Sequence, residues 1–194
     1  VTTRASVVAA TMHRASQLAR EWQGKVVQDP VSRRLYTSWM PFNTGEFTGL
    51  LAQAIDGYEP GPDENVRFLD VGCGPGPELL IARDIFGLDI LGFDRVPEYV
   101  AAACSLGLRA TVADAGSYPG YGLAQVTWFN RVARDAGIQA QIEAKVWRDT
   151  APGAVVICAN LENPPPGWFP VLDDQDARRG IYMKPGHADH RLVG

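Results

Sequence analysis

A doubly wound, mostly parallel α/β sheet, with helices at its amino end and an antiparallel hairpin at its carboxyl end, is the fold the sequence predicts. Three observations carry that expectation. Short apolar runs alternate with helical patterns between Val66 and Cys158, a glycine-rich turn joins the first run to the first helix, and the alternation stops at Pro164-Pro165-Pro166-Gly167. Strand and helix in alternation are the pattern of a parallel sheet covered on both faces.

Ahead of the sheet, Val8, Met12, Ala15, Leu18, Ala19 and Trp22 recur at helical spacing and Gly24 offers a stop, so the first twenty-odd residues read as an amphipathic helix. Residues 29–43 are punctuated by Pro30 and Pro41 yet carry Leu35, Tyr36, Trp39 and Phe42, which suits a loop or short helix with something to bury. Asn43 or Thr44 then caps a second helix to about Ile55, and the stretch Gly57 to Asn65 is a linker.

Within the alternating region the strands fall at Val66–Val71, Ile90–Asp94, Ala110–Asp114, Gln125–Asn130 and Ala154–Cys158. Helices are expected through Glu78–Ala82, over Pro97–Leu106 with a proline in the first turn, and over Ile138–Asp149. The proline run stands where another crossover helix belongs, and a parallel return normally needs a dozen or more residues. The segments Trp168–Leu172 and Gly180–Lys184 flank an acidic, arginine-containing turn and read as the hairpin. The expected organisation is a single domain over residues 1–194: a helical cap over 1–57, the α/β core over 66–160 and the hairpin over 167–186.

Composition narrows the function classes. With 46% hydrophobic and 21% charged residues, the chain suits a globular protein able to bury a core without staples. Its three cysteines form no CxxC pair, which argues for a reducing compartment. No apolar run reaches the ~18 residues of a membrane span, and Val1–Ala10 lacks the apolar core and cleavage site of a signal peptide. A cytoplasmic protein without a membrane partner is expected. The net charge is −4 and basic doublets occur only at Arg33-Arg34 and Arg178-Arg179, which disfavours a nucleic-acid partner.

The chemistry is concentrated in Asp70-Val71-Gly72-Cys73-Gly74-Pro75-Gly76. Glycines at alternate positions let the backbone turn sharply after a strand and approach a ligand, while the next helix presents free amides and its positive dipole end. A dinucleotide fingerprint would read G-x-G-x-x-G, but here the spacing is G-x-G-x-G and Pro77 takes the place of the third glycine. Acids end the next two strands as well, at Asp94 and Asp114. Singly, each feature has a plain reading, as an αβ loop, a helix cap or a turn residue; together, at successive strand ends, they form a joint signal.

On these residues the chain, from Val66 to Cys158, resembles the class I S-adenosylmethionine-dependent methyltransferases, whose first motif is D/E-x-G-x-G-x-G. It is similar to small methyltransferase-like proteins of bacteria and their viruses. The resemblance implies a Rossmann-like methyltransferase fold with S-adenosylmethionine as cofactor. It implies that Gly72, Gly74 and Gly76 line the amino-acid part of that cofactor, with Asp70 holding its ammonium. Asp94 would accept the ribose hydroxyls, and Asp114 with Ala115 would meet the adenine.

For the acceptor side, Asn130 and Asp135 after the fourth strand are the catalytic candidates, an amide to accept a hydrogen bond from the nucleophile and a base. Their alternatives are a helix cap and a surface charge. Tyr36, Trp39 and Phe42 are candidates for the acceptor pocket, or else simply pack the amino-terminal segment on the sheet. Asn163-Pro164-Pro165-Pro166 resembles the N-P-P-aromatic motif of adenine amino-group methyltransferases but follows the fifth strand and lacks the aromatic. Asn130, Asn160 and Glu162 make a poor Mg²⁺ set, and His187-Ala188-Asp189-His190 reads as a surface tail, so no metal is expected. A small-molecule acceptor is the expected substrate. A non-catalytic S-adenosylmethionine-binding module is the alternative, and an NAD-dependent oxidoreductase a lesser one.

Overall fold

The structure, a computed structural model, describes residues 3–25, 34–36, 39–61, 63–160, 165–174 and 179–186. The Asn163-Pro164 dipeptide, Glu162, the hairpin turn and the His187–His190 tail lie outside the described residues.

Two helices precede the sheet: α1 (Arg4–Trp22), capped by Thr3, and α2 (Thr44–Tyr58), whose cap Asn43 accepts from the Glu46 N–H at 2.9 Å. Then follow β1 (Arg67–Val71), α3 (Pro77–Asp84), β2 (Asp89–Asp94), α4 (Pro97–Ser105), β3 (Ala110–Val112), a 3₁₀ turn at Tyr121–Leu123, β4 (Val126–Phe129), α5 (Ala136–Asp149), β5 (Val155–Ala159), β6 (Phe169–Asp174) and β7 (Arg179–Met183). The sheet order is β3-β2-β1-β4-β5-β7-β6. Strands β1 to β5 are mutually parallel and β7 runs against both β5 and β6. The expected hairpin forms, but its second arm is the one that pairs with β5, from Val155↔Met183 to Ala159↔Arg179. β6 lies at the sheet edge and, antiparallel to β7, runs in the direction of β1 to β5.

The inner strands are buried along their length, as strands covered on both faces must be. The two covers differ. On one face α1, α2, α3 and α4 supply Leu18, Phe47, Leu51, Leu80 and Ala103 against Phe68, Trp128 and Ile157. On the other, Leu69, Phe129 and Val156 meet one long helix, α5, through Ile142 and Val146. Aromatic rings complete that side: Tyr118 stacks on Phe93 at 4.1 Å, Trp147 meets Phe129 and Trp168 edge-on, and the Tyr182 ring lies across Gly180. Bulky rings thus cover sheet left bare where β3–β4 and β5–β6 lack crossover helices. Among the described residues no helix is long and apolar enough to cross a membrane.

Candidate functional site

The carboxyl ends of β1, β2, β3 and β4 open onto one cavity, the place where ligands bind in open α/β sheets. The glycine turn forms its floor. The amides of Gly72 and Cys73 both donate to the Phe93 carbonyl at 2.9 Å, pinning the turn to β2. Close crossing there requires Gly92, since a Cβ at that position would meet Leu79 at 2.6 Å and Cys73 at 3.0 Å. Gly76 has φ +90° and carries the chain into α3, where a Cβ would fall 2.6 Å from Leu108. That glycine serves the packing of helix on strand.

Gly74 serves something else. A Cβ built on it would lie 2.3 Å from both Cδ1 and Nε1 of Trp39 and 2.6 Å from Cε2, so the face of the indole's five-membered ring covers this glycine. Gly72 lines the cavity, while Gly74 and Gly76 do not. All three glycines make room for the protein's own side chains, since a Cβ on Gly72 would also fall 2.9 Å from Val132.

Three carboxylates gather around the turn. Asp70 and Asp94 end their strands on the same sheet face as α3, and Glu78 stands in the first turn of that helix; all three are buried and line the cavity. Asp94 is tied down, accepting from the Gly74 N–H at 3.0 Å through Oδ2 and from the Val96 N–H at 2.9 Å through Oδ1. Asp70 Oδ2 is buried with no hydrogen-bond partner among the described residues. Burial pushes the Asp70 carboxyl well above the usual range, and the negative charges of Glu78 and Asp94 add to that. Burial also raises Glu78 to about 7, against hydrogen bonds from its own N–H and that of Phe42, and raises Asp94. Among the described residues no group of three or more His, Cys, Asp or Glu side chains could hold a metal ion. Buried acids crowded in this way favour a ligand that brings positive charge.

The roof comes from the amino-terminal segment. Tyr36 forms an isolated antiparallel bridge to Ala133, and the Arg134 N–H donates to the Leu35 carbonyl at 2.9 Å. The Phe42 N–H bonds the Glu78 carboxylate, while the Phe42 ring packs edge-on against Trp128 at 5.0 Å. Tyr36 and Trp39 therefore line the cavity and Phe42 does not; it anchors the segment instead. The Arg95 guanidinium lies 3.6 Å from the centroid of the Tyr36 ring.

Asp114, Ala115 and Asn130 also line the cavity. Asp114 folds its Oδ1 onto the Gly116 N–H at 2.8 Å, and the Ala115 carbonyl accepts from the Tyr121 hydroxyl at 2.9 Å. Asp135 stands outside the cavity as the cap of α5, accepting from the Ile138 N–H at 2.9 Å. In that place its carboxylate serves the helix end, satisfying a free N–H of the first turn. Sequence reasoning passed over Glu78, Arg95, Tyr99 and Trp128, all in the cavity wall. Glu78 alone had a signal, an acid in the first turn after the glycines, but that pattern is equally a helix-dipole preference.

No family model matches the chain, and no curated protein does. Solved structures do match. An RNA methyltransferase from Salinibacter ruber, in complex with S-adenosyl-L-homocysteine, gives a TM-score of 0.57 at 16% identity over 80% of this chain and 99% of that one. A protein from Pyrococcus horikoshii OT3 gives 0.48 at 16% identity over 83% and 85% of the two chains. Phosphoethanolamine N-methyltransferase 2 from Haemonchus contortus, with S-adenosyl-L-methionine, gives 0.45 at 19% over 61% and 30%. The first of these shows the fold: this chain has the Rossmann-like fold of the class I methyltransferases.

Proposed function

We propose that the cavity binds S-adenosylmethionine and that the chain transfers its methyl group to a small-molecule acceptor. One observation carries the reading: Asp70, Glu78 and Asp94 lie buried around the glycine turn, with Asp70 Oδ2 unpartnered. A pyrophosphate brought there would meet three acids, which argues against a nicotinamide dinucleotide; an ammonium and a sulfonium would relieve their mutual repulsion. The Salinibacter ruber neighbour, crystallised with the demethylated product, lends support through the shared fold.

When bound, the cofactor supplies a methyl group on a positively charged sulfur. Asp70 and Glu78 would hold its ammonium. Both oxygens of Asp94 accept backbone N–H groups, and the carboxylate keeps lone-pair capacity for a ribose hydroxyl. Asp114 and Ala115 would meet the adenine. Methyl transfer is an in-line displacement whose main requirements are alignment and exclusion of water, and Tyr36 and Trp39 in the roof can supply both. The net charge of −4 favours a small acceptor over RNA.

A non-catalytic S-adenosylmethionine-binding module is the second reading, favoured by one observation: the carboxylate nearest after Asn130, on Asp135, is occupied as a helix cap. Calorimetric titration with S-adenosylmethionine, S-adenosylhomocysteine and NAD tests the cofactor. Heat from the first two alone is the expected result, and silence from both would sink the proposal. Turnover with any acceptor would then exclude the non-catalytic reading.

A further inference from the structure

The polar groups on the acceptor side of the cavity have one character. Asn130, at the end of β4, was expected to accept a hydrogen bond from a nucleophile. Its Oδ1 is already taken, by the Arg131 N–H at 2.7 Å and by Asn160 Nδ2 at 2.8 Å across thirty positions of sequence. Because a backbone N–H can only donate, this fixes the orientation of the amide, and what Asn130 offers the cavity is its Nδ2, a donor. Asn160, at φ +59°, is held in the left-handed region just after β5 to reach it.

Arg95 adds a second donor. Its Nη1 is buried with no hydrogen-bond partner among the described residues, and its guanidinium rests on the Tyr36 ring. Tyr36 links the two groups, since it bridges to Ala133 on the loop that leaves Asn130. A buried guanidinium nitrogen without an acceptor is costly unless a ligand supplies one, and a planar fork suits an oxyanion.

Resting on the cofactor reading above, we propose that the acceptor is a small molecule carrying an anionic oxygen, received by Asn130 Nδ2 and Arg95 with its apolar body against Tyr36. A carboxylate and an acidic phenol share this chemistry. The step then needs no base. The anionic oxygen forms a bond to the methyl carbon, the carbon–sulfur bond breaks, and its electron pair remains on sulfur. One negative and one positive charge give two neutral products, and no proton moves. This agrees with the placement of Asp135 outside the cavity.

The test is ligand-observed NMR on the full chain saturated with S-adenosylhomocysteine, using benzoate, 4-nitrophenolate and benzylamine as probes. An anion should bind and benzylamine should not, and the two anions separate the carboxylate from the phenolate. Arg95→Met and Asn130→Leu should each weaken the anion by roughly tenfold, as for one lost charge-assisted hydrogen bond. Affinity for S-adenosylhomocysteine should hold in Asn130→Leu, and Arg95→Lys should recover part of the loss. Binding of benzylamine in preference, binding of neither anion, or an equal loss of S-adenosylhomocysteine affinity in Asn130→Leu would each overturn the inference. Failure of the unmodified chain to bind S-adenosylhomocysteine would instead bring down the cofactor reading beneath it.

Discussion

The two sides of the cavity differ in the charge they present. At the ends of β1 and β2, Asp70, Glu78 and Asp94 crowd three acids into a buried space around the glycine turn. Past the end of β4, Asn130 has its amide oxygen occupied, and past the end of β2, Arg95 has a guanidinium nitrogen with no partner among the described residues. In the proposed reading one side receives a cation and the other an acceptor of hydrogen bonds. The difference teaches that one cavity can hold groups of opposite charge as neighbours: Arg95 directly follows Asp94, and its charge draws that carboxyl down against the effect of burial.

The largest expected effect is that of pH on the acid side. A carboxyl whose pKa is raised on folding favours the folded state when protonated, so its contribution is present below the unfolded value and is lost as pH rises through the folded value. For Glu78, raised to about 7, the loss between its ordinary 4.5 and 7 is about 3 kcal/mol. Chemical denaturation of the ligand-free chain should therefore give lower stability at pH 8 than at pH 5. A cationic ligand favours the ionised acids, so binding should release protons, seen as a dependence of the heat on buffer ionisation. Stability that rises over this range would break the comparison.

Next comes Asp94→Ala. Losing a charged acceptor for the ribose hydroxyls should weaken S-adenosylmethionine binding by roughly 1.5–3 kcal/mol, read by calorimetry. Asp70→Asn sharpens the point, because it removes a buried carboxyl whose ionisation burial and two neighbouring acids oppose: affinity should fall while the thermal midpoint of the ligand-free chain at pH 8 rises. Equal affinity in both folded variants would remove the acids from the site.

The smallest effect lies beyond the other side. Asp135→Ala should cost about 1 kcal/mol of stability through the lost cap of α5, with S-adenosylmethionine affinity unchanged. A loss of affinity would restore Asp135 to the site.

Much of this was legible in the chain because it is local. The strand and helix bounds follow apolar period, caps and glycines, and Asp70, Asp94 and Asp114 are readable because a strand end fixes where each acid stands. Tyr36 and Trp39 were legible as aromatics with something to cover. Phe42 could be read either as pocket lining or as packing, since nothing in its neighbourhood says that its ring meets Trp128 and its amide meets Glu78.

By itself, then, the sequence determined the alternating elements, the glycine turn and the acids at successive strand ends, all set by backbone preference and period over a few residues. Tertiary structure decided the rest. It brought Glu78 in among the acids, laid Trp39 across Gly74 and folded β7 in beside β5. It also used up the oxygen of Asn130 on Asn160 and stacked Arg95 on Tyr36. Each of these depends on which distant groups meet, and on which lone pairs and protons are left over when they do. Such a remainder belongs to the packed chain and has no counterpart in any short stretch of it.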